Sequence, residues 1–447
     1  MSKRQNKSLI YYTKPTYLTM KKNRDIVTIG FALFAMFFGA GNLLLPPFIG
    51  LQIGSHIWIT IIAFGLTGIL LPFLGILSVV QSGNSIHDLG SRIHPYLAPV
   101  LGSIIMLCIG PFIAIPRTAA TTFEVGIQPS FPDFNPILAS VLFFGITWIL
   151  TIAPSKVVDI IGNLLTPLLL LLLIALIAVG LFSPNADYTS TQLSAIESFA
   201  LGFTEGYQTL DVLASVIFAG IIIHAAKEKG YNSIREKSFV VIASGALSAL
   251  CLFIIYGGLV YLGSTSGIAD PNIGRSSLLI HIATSTLGNY GMIAIAVSIA
   301  LACLTTAIAL TSAVGTFFSD LSGGKIGYKT IVTICCILSG ILSISGVDNI
   351  IQFAYPPLAF VYPIVITLVL YIVIFGQFIK SKLPYVGALV ASTIIAFIYL
   401  LNILGYWSAE TLNVFNHIPF FNIELGWIVP SIIGFILGYI IDRIKGK

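Results

Sequence analysis

Stretches of about twenty apolar residues recur along the whole of this chain with almost no charge inside them, and a run of that length is what an α-helix needs to cross a bilayer. Twelve runs stand out, at 26–50, 56–80, 98–120, 137–154, 157–182, 198–225, 238–262, 288–316, 330–346, 350–377, 384–404 and 425–442. Composition agrees: 57% of the 447 residues are hydrophobic and 9% are charged. A soluble domain carries roughly 25% charged residues. The expected class is therefore an all-α integral membrane protein with 12 transmembrane helices. With an apolar run that long after a long basic stretch, the N-terminus does not read as a cleavable signal peptide.

Lysine and arginine test the count. With the N-terminus inside, the inner segments hold Lys3, Arg4, Lys7, Lys14, Lys21, Lys22, Arg24, Arg92, Lys156, Lys227, Lys229, Arg235, Lys237, Lys325, Lys329, Lys380, Lys382, Arg443, Lys445 and Lys447. Of the 22 Lys and Arg, only Arg275, in an outside loop, and Arg117, inside the third span, remain. Cytoplasmic loops are enriched in these residues, and one missed span would flip every later loop. Both termini are expected in the cytoplasm, as tails 1–25 and 443–447. Outside loops 121–136, 183–197 and 405–424 carry acidic residues and no Lys or Arg. The net charge of +5 is scattered over short loops, so it does not point to nucleic acid. Cys108, Cys251, Cys303, Cys335 and Cys336 all fall in apolar segments without metal-ligand spacing, and read as small buried hydrophobes.

The first span contains FFGAGNLLLPPF, residues 37–48. Gly in a helix interior costs about 1 kcal/mol and Pro about 3. Gly39, Ala40, Gly41, Asn42, Pro46 and Pro47 together argue for a chain that leaves helical geometry near mid-membrane, where such backbone is tolerated if it is buried or lines a cavity. The competing reading is a packing surface of small residues with a proline kink. The sixth span contains LGFTEGYQTLDVL, residues 201–213, in which Gly202 and Gly206 flank Thr204 and Glu205, and Gln208, Thr209 and Asp211 come after them. Acidic residues in mid-span mark a functional site by default. The alternative is a loop followed by a short helix from near Asp211.

Spans one and six lie five apart and cross in opposite directions. That is the pattern of a 5+5 inverted repeat, with 26–182 and 198–377 as the halves, a discontinuous helix leading each, and 384–442 as two peripheral helices. Paired interruptions of this kind point to a binding site at the bilayer midplane. A broken helix exposes free N–H groups that suit a carboxylate and free carbonyls that suit a cation. The donors lie around Gly41, Asn42 and Leu43, the carbonyls from about Ala35 to Ala40, and the sixth span repeats the arrangement inverted around Glu205 to Thr209. Phe37, Phe38, Leu43, Phe203 and Tyr207 offer an apolar wall, although each also reads as ordinary packing. In the eighth span Thr305 and Thr306 place two hydroxyls at one depth. With carbonyls of the first span they make a hard-oxygen Na⁺ cage, or they bond back to their own helix.

Other polar groups inside spans are Arg117, Glu124, Asn163, Tyr355 and His224. Arg117 either snorkels outward or pairs with an acidic group of an outer vestibule, and is placed with Asp211 and Tyr355 in a gating and charge network. His224 is expected to face the interface.

FALFAMFFGAGNLLLPPFIG (31–50), GPFIAIPRTAATTFEVG (110–126), GFTEGYQTLDVLASVIFAG (202–220) and LACLTTAIALTSAV (301–314) resemble motifs of the branched-chain amino acid:cation symporter family, the BrnQ-type or LIVCS carriers. The resemblance covers nearly the whole chain. It implies import of leucine, isoleucine and valine across the cell membrane, driven by Na⁺ or H⁺, and a distant relation to the leucine-transporter fold. It implies that Gly39, Gly41 and Asn42 lie in the unwound segment that holds substrate and ion. It also implies that Ala35 and Phe38 give carbonyls to Na⁺, opposite the hydroxyls of Thr305 and Thr306. Substrate contacts are further expected from Ala40, Glu205, Gly206, Tyr207 and Thr209. The roles of Glu205 and Asp211 stay open between the amino group, the cation and a titrating proton. Alternatives are a carrier of another small neutral solute and a non-transporting membrane sensor. No nucleophile–base pair, P-loop or dinucleotide motif is present, so neither an enzyme nor a cofactor is expected beyond Na⁺ as coupling ion, and the lipid bilayer is the remaining partner.

Overall fold

The structure, a computed structural model, describes residues 5–91, 93–152, 166–188 and 193–445. Lys3, Arg4, Arg92, Lys156, Asn163, Lys447 and the first part of the fifth expected span lie outside the described residues. Among the described residues every regular element is a helix. Six stretches are long and apolar enough to cross a membrane: Ala40–Ser82, Leu97–Ile127, Ile234–Ser264, Ala296–Leu321, Val347–Phe375 and Leu383–Ile403. The bent pair Ala195–Thr209 and Asp211–Glu228 adds a seventh, and Pro136–Thr151, Leu170–Phe182 and Tyr328–Ser343 are shorter apolar helices.

Eight helices build the centre: α1 (Gln5–Phe37), α2 (Ala40–Ile53), α3 (Ala114–Thr121), α4 (Ala195–Glu205), α5 (Asp211–Glu228), α6 (Ile234–Ser264), α7 (Arg275–Leu321) and α8 (Val347–Phe375). Their starts are set locally. The Ser194 hydroxyl accepts the Glu197 N–H at 3.3 Å while Glu197 accepts the Ser194 N–H at 2.8 Å, a reciprocal cap that opens α4. Ser233 caps α6 by accepting the Glu236 N–H at 3.2 Å.

Apolar side chains sort by lipid rather than by water. α5 is buried on nearly every face. On the peripheral helices Leu383–Ile403 and Ile428–Lys445, by contrast, Val390, Ile394 and Phe397, and Ile432, Ile436 and Ile440, point outward and exposed. Apolar faces of that extent mark contact with a membrane or partner. Helices approach closely where glycine removes the side chain. A Cβ at Gly50 would lie 2.1 Å from the Val260 carbonyl oxygen, and one at Gly263 would lie 1.9 Å from that of Pro47, so α2 and α6 touch backbone to backbone.

Three expected boundaries shift. The tail 1–25 is helical from Gln5 onward, as part of α1. The expected outside loop before the eighth span contains a helical arm, residues 275–287, that joins the span at Gly288. There φ is +63° and ψ is −152°, a conformation essentially restricted to glycine. Residues 405–424 likewise contain a short helix, Ala409–Phe415.

Candidate functional site

The first break falls at Phe38 and Gly39, where the backbone turns extended (Gly39 φ −113°, ψ −161°) before α2 begins at Ala40. Pro46 and Pro47 do not take part in it, contrary to the sequence reading, because α2 runs through both to Ile53. Membrane helices accept proline where neighbouring protein surrounds the freed backbone, and here the α6 backbone packs directly on Pro47. The two glycines make room for side chains. A Cβ at position 39 would stand 2.9 Å from the Thr306 hydroxyl, and one at position 41 would stand 2.6 Å from Arg117 Nη2 and 3.1 Å from the Gln208 carbonyl oxygen.

The second break comes after one tight turn, residues 206–209, at Leu210, whose φ is +67° and ψ +6°. A left-handed non-glycine residue costs on the order of 1–2 kcal/mol and persists only where its surroundings over-determine it. Leu210 is 2% exposed, its N–H donates to the Tyr207 carbonyl at 3.1 Å, and the Thr209 hydroxyl accepts the Asp211 N–H at 3.3 Å. α5 then leaves at 43° to the helix before it.

The breaks meet. Asn42 Nδ2 donates to Asp211 Oδ2 at 2.5 Å and to the Tyr256 hydroxyl, which itself donates to Asp211 Oδ2 at 3.2 Å. Asn42 Oδ1 accepts the Gly39 N–H at 3.4 Å, so one side chain caps its own break and ties it to the other. Asn42, Asp211 and Tyr256 are each no more than 2% exposed. Sequence reasoning misses Tyr256. Along the sequence it is one of several hydroxyls in the seventh span, with Ser244, Ser248 and Tyr261, and nothing sets it apart from them.

Between the breaks lies a cavity of about 20 Å³, lined by Gly39, Ala40, Gly41, Asn42, Arg117, Thr118, Thr209, Leu210, Asp211 and Thr306, with Met36, Phe37, Ile109, Ala114, Ala214, Phe218 and Leu310 as its apolar side. That is room for about one water molecule. Of the sequence-predicted wall only Phe37 lines it. Phe38 stacks between Phe34 and Tyr256, and Tyr207 stacks on Tyr362 with ring centroids 4.6 Å apart. Phe203 faces a groove with Leu66 and Trp427. Glu205 and Gly206 do not reach the cavity either. Gly206 packs tightly against Thr67, and Glu205 Oε1 lies 3.6 Å from Arg275.

Beside the first break the Ala35 carbonyl accepts from the Thr305 hydroxyl at 3.2 Å and the Thr306 hydroxyl at 3.3 Å. Thr305 also bonds back to the Ala302 carbonyl at 3.0 Å, on its own helix. Arg117 does not snorkel. It is 2% exposed, on the short helix α3, which comes after non-helical backbone at Gly110 (φ −92°, ψ −126°) in the third span. His224 is exposed and lies 3.7 Å from Glu228.

Each end of the bundle carries a polar tie. At one end Arg275 stands between Glu205 of α4 and Asp348 of α8, 3.5 Å away, with its guanidinium 4.2 Å over the Phe48 ring of α2. Glu124 accepts the Val347 N–H at 2.8 Å and the Ser276 hydroxyl at 2.9 Å, and Tyr355 donates to Glu424. At the other end Asp25 of α1 accepts the Tyr231 hydroxyl at 2.9 Å and lies 3.9 Å from Lys229, while Lys237 donates to Asn84 at 2.5 Å. Burial, and then Asp25, push the Tyr231 phenol up to about 12, so it keeps its proton and remains the donor.

Two interrupted helices, joined by a buried polar cluster beside a small cavity, form the centre of an all-helical protein of the leucine-transporter fold. The fold is shared with the nucleobase-cation-symport-1 family transporter Mhp1 in a closed conformation with bromovinylhydantoin bound, at TM-score 0.61 and 13% identity over 92% of this chain and 91% of that one. It is shared too with MhsT in complex with L-phenylalanine, at TM-score 0.59 and 15% identity over 90% and 98%. The chain belongs to the branched-chain amino acid transport protein family, whose model matches residues 22–445. It is 33% identical to the branched-chain amino acid permease BraB of Bacillus subtilis over 95% of this chain and 96% of that protein. It is 35% identical to the permease BrnQ of the same organism over 94% and 98%. It is thus a multi-pass membrane protein of an amino acid transport family.

Proposed function

We propose that this chain imports leucine, isoleucine and valine by alternating access, with Na⁺ as the coupling ion. The observation that carries the reading is the Asn42–Asp211–Tyr256 cluster, which joins the two helix breaks at the edge of a cavity. Gly39, Ala40, Gly41, Asn42 and Thr209 line that cavity and serve the substrate, while Met36, Phe37, Ile109 and Phe218 meet its aliphatic side chain. The 20 Å³ present is too little for leucine, so binding requires the bundle to open. The ties around Arg275 and around Asp25 lie at opposite ends and break alternately.

The Na⁺ reading is supported by hard oxygen: the hydroxyls of Thr305 and Thr306 converge on the Ala35 carbonyl, and the Phe38 carbonyl lies at the same break. One charge crossing 100 mV releases about 2.3 kcal/mol, and a tenfold Na⁺ gradient adds about 1.4. Together they support roughly 500-fold accumulation of a neutral zwitterion. The topology that goes with this reading is twelve spans in a 5+5 inverted repeat with two peripheral helices, in the cell membrane, with both termini in the cytoplasm. It is supported by the one-sided placement of Lys and Arg and by two helix breaks, five expected spans apart, that meet through Asn42 and Asp211. Labelled leucine uptake into proteoliposomes, with Na⁺ and pH gradients imposed separately, tests the proposal. Concentrative uptake under the Na⁺ gradient alone is expected. Uptake driven only by the pH gradient overturns Na⁺ coupling, and no leucine uptake under either overturns the substrate assignment.

A further inference from the structure

Arg117 is the one cation that lines the central cavity, and the fold leaves it incomplete. It is 2% exposed, yet its Nε and Nη1 have no hydrogen-bond partner among the described residues. A guanidinium stays charged in proteins, and a buried charge without hydrogen-bonded partners carries a heavy desolvation penalty. A purely structural arginine would be expected to find a carboxylate, and one faces the same cavity, but Asp211 Oδ2 receives Asn42 and Tyr256 instead. Position 41 is kept free of a side chain so that the guanidinium can rest against the first break, since a Cβ there would meet Nη2 at 2.6 Å. The interruption at Gly110 lets the third span turn before Arg117, which brings it to that point.

We propose that Arg117 is the seat of the substrate's α-carboxylate, completed only when the carboxylate of an amino acid meets its open donors beside the first helix break. This rests on the reading of the chain as an amino acid carrier and names the residue that selects for the acid. Ala40, Gly41 and Asn42, the first turn of α2, line the same cavity, and the N-terminus of a helix reinforces an anion beside it. Asp211, with the opposite charge, takes the ammonium end. One positive and one negative group around one cavity match a zwitterion, whereas a dianion would be repelled by Asp211 and a simple amine would leave Arg117 unpaired.

The test is competition against labelled leucine uptake in proteoliposomes by leucine and by leucinol, which keeps the ammonium and the side chain but has no carboxylate. In the wild type leucinol is expected to compete about 100-fold more weakly, the scale of losing a buried charge-assisted contact. Arg117→Gln and Arg117→Lys are then compared by competitive binding to purified protein, so that a variant that no longer transports still reports. Leucine affinity is expected to fall about 100-fold in Arg117→Gln while leucinol affinity stays within about threefold, so that the preference for the acid disappears. Arg117→Lys keeps a charge but not the planar guanidinium and falls between. A wild type that binds leucinol as well as leucine overturns the proposal even if neither variant folds. So does an Arg117→Gln that keeps the wild-type preference. A wild type that transports no leucine at all is a different result: it removes the carrier reading itself.

Discussion

Replacing Asn42 by alanine strikes the contact that joins the two halves of the site. The substitution removes one hydrogen bond to the Asp211 carboxylate, at 2.5 Å, and one to the Tyr256 hydroxyl, and frees the Gly39 N–H at the first break. A hydrogen bond to a charged group contributes about 1.5–3 kcal/mol and a neutral one about 1. A loss of about 3 kcal/mol is therefore expected, which is about 100-fold in uptake kcat/KM if the cluster is as much needed for transport as for folding. The informative assay is a double-mutant cycle on uptake with Asp211→Asn. Because Asn42 and Asp211 touch, their effects should fail to add, with a coupling of about 1–3 kcal/mol. Thermal unfolding in detergent should move the same way, with Asn42→Ala melting below the wild type. An Asn42→Ala protein with wild-type uptake and melting, or strictly additive effects in the cycle, would refute the idea that the two breaks act as one unit.

Thr306→Val removes one of the hydroxyls that converge on Ala35 while keeping its shape, so the Na⁺ concentration giving half-maximal uptake should rise about tenfold, the equivalent of about 1.4 kcal/mol, with little change in protein yield. Gly263→Ala places a methyl 1.9 Å from the Pro47 carbonyl oxygen, an overpacking against rigid backbone that should cost about 3 kcal/mol and show as a lower melting midpoint and poor recovery from the membrane. Arg275→Gln leaves the half-buried Glu205 without its cation and unties α4 from α8. Uptake should fall about tenfold, and a thiol reagent should react faster with Phe48→Cys in that background than in an otherwise wild-type protein.

Length, charge and backbone chemistry set how far the sequence alone was legible. Apolar runs and scattered cations mark a polytopic helical protein, and the glycines and polar residues of two spans locate the interruptions to within a few residues. The prolines misled because a missing N–H matters little where another helix packs on the freed backbone, as α6 does on Pro47. Contacts across the bundle were not legible. Nothing along the chain says that Gly41 clears space for Arg117 or Gly39 for Thr306, since those pairs are 76 and 267 residues apart. Arg117 was hardest to place because no acid sits one turn away on its own helix, which makes snorkelling the natural expectation, whereas a third interruption at Gly110 turns it inward. Glu205 reads as central from its position beside two glycines, but the helical arm that begins at Arg275 holds it at the end of the bundle.

The most direct measurement is an experimental density map of the purified protein with L-leucine and Na⁺ bound. Leucine is expected between residues 39–42 and 209–211, its carboxylate within hydrogen-bonding distance of Arg117 and its isobutyl group against Phe37 and Phe218. Leucine seated elsewhere, with residues 37–42 and 206–211 wound into unbroken helix, would contradict the mechanism at its root.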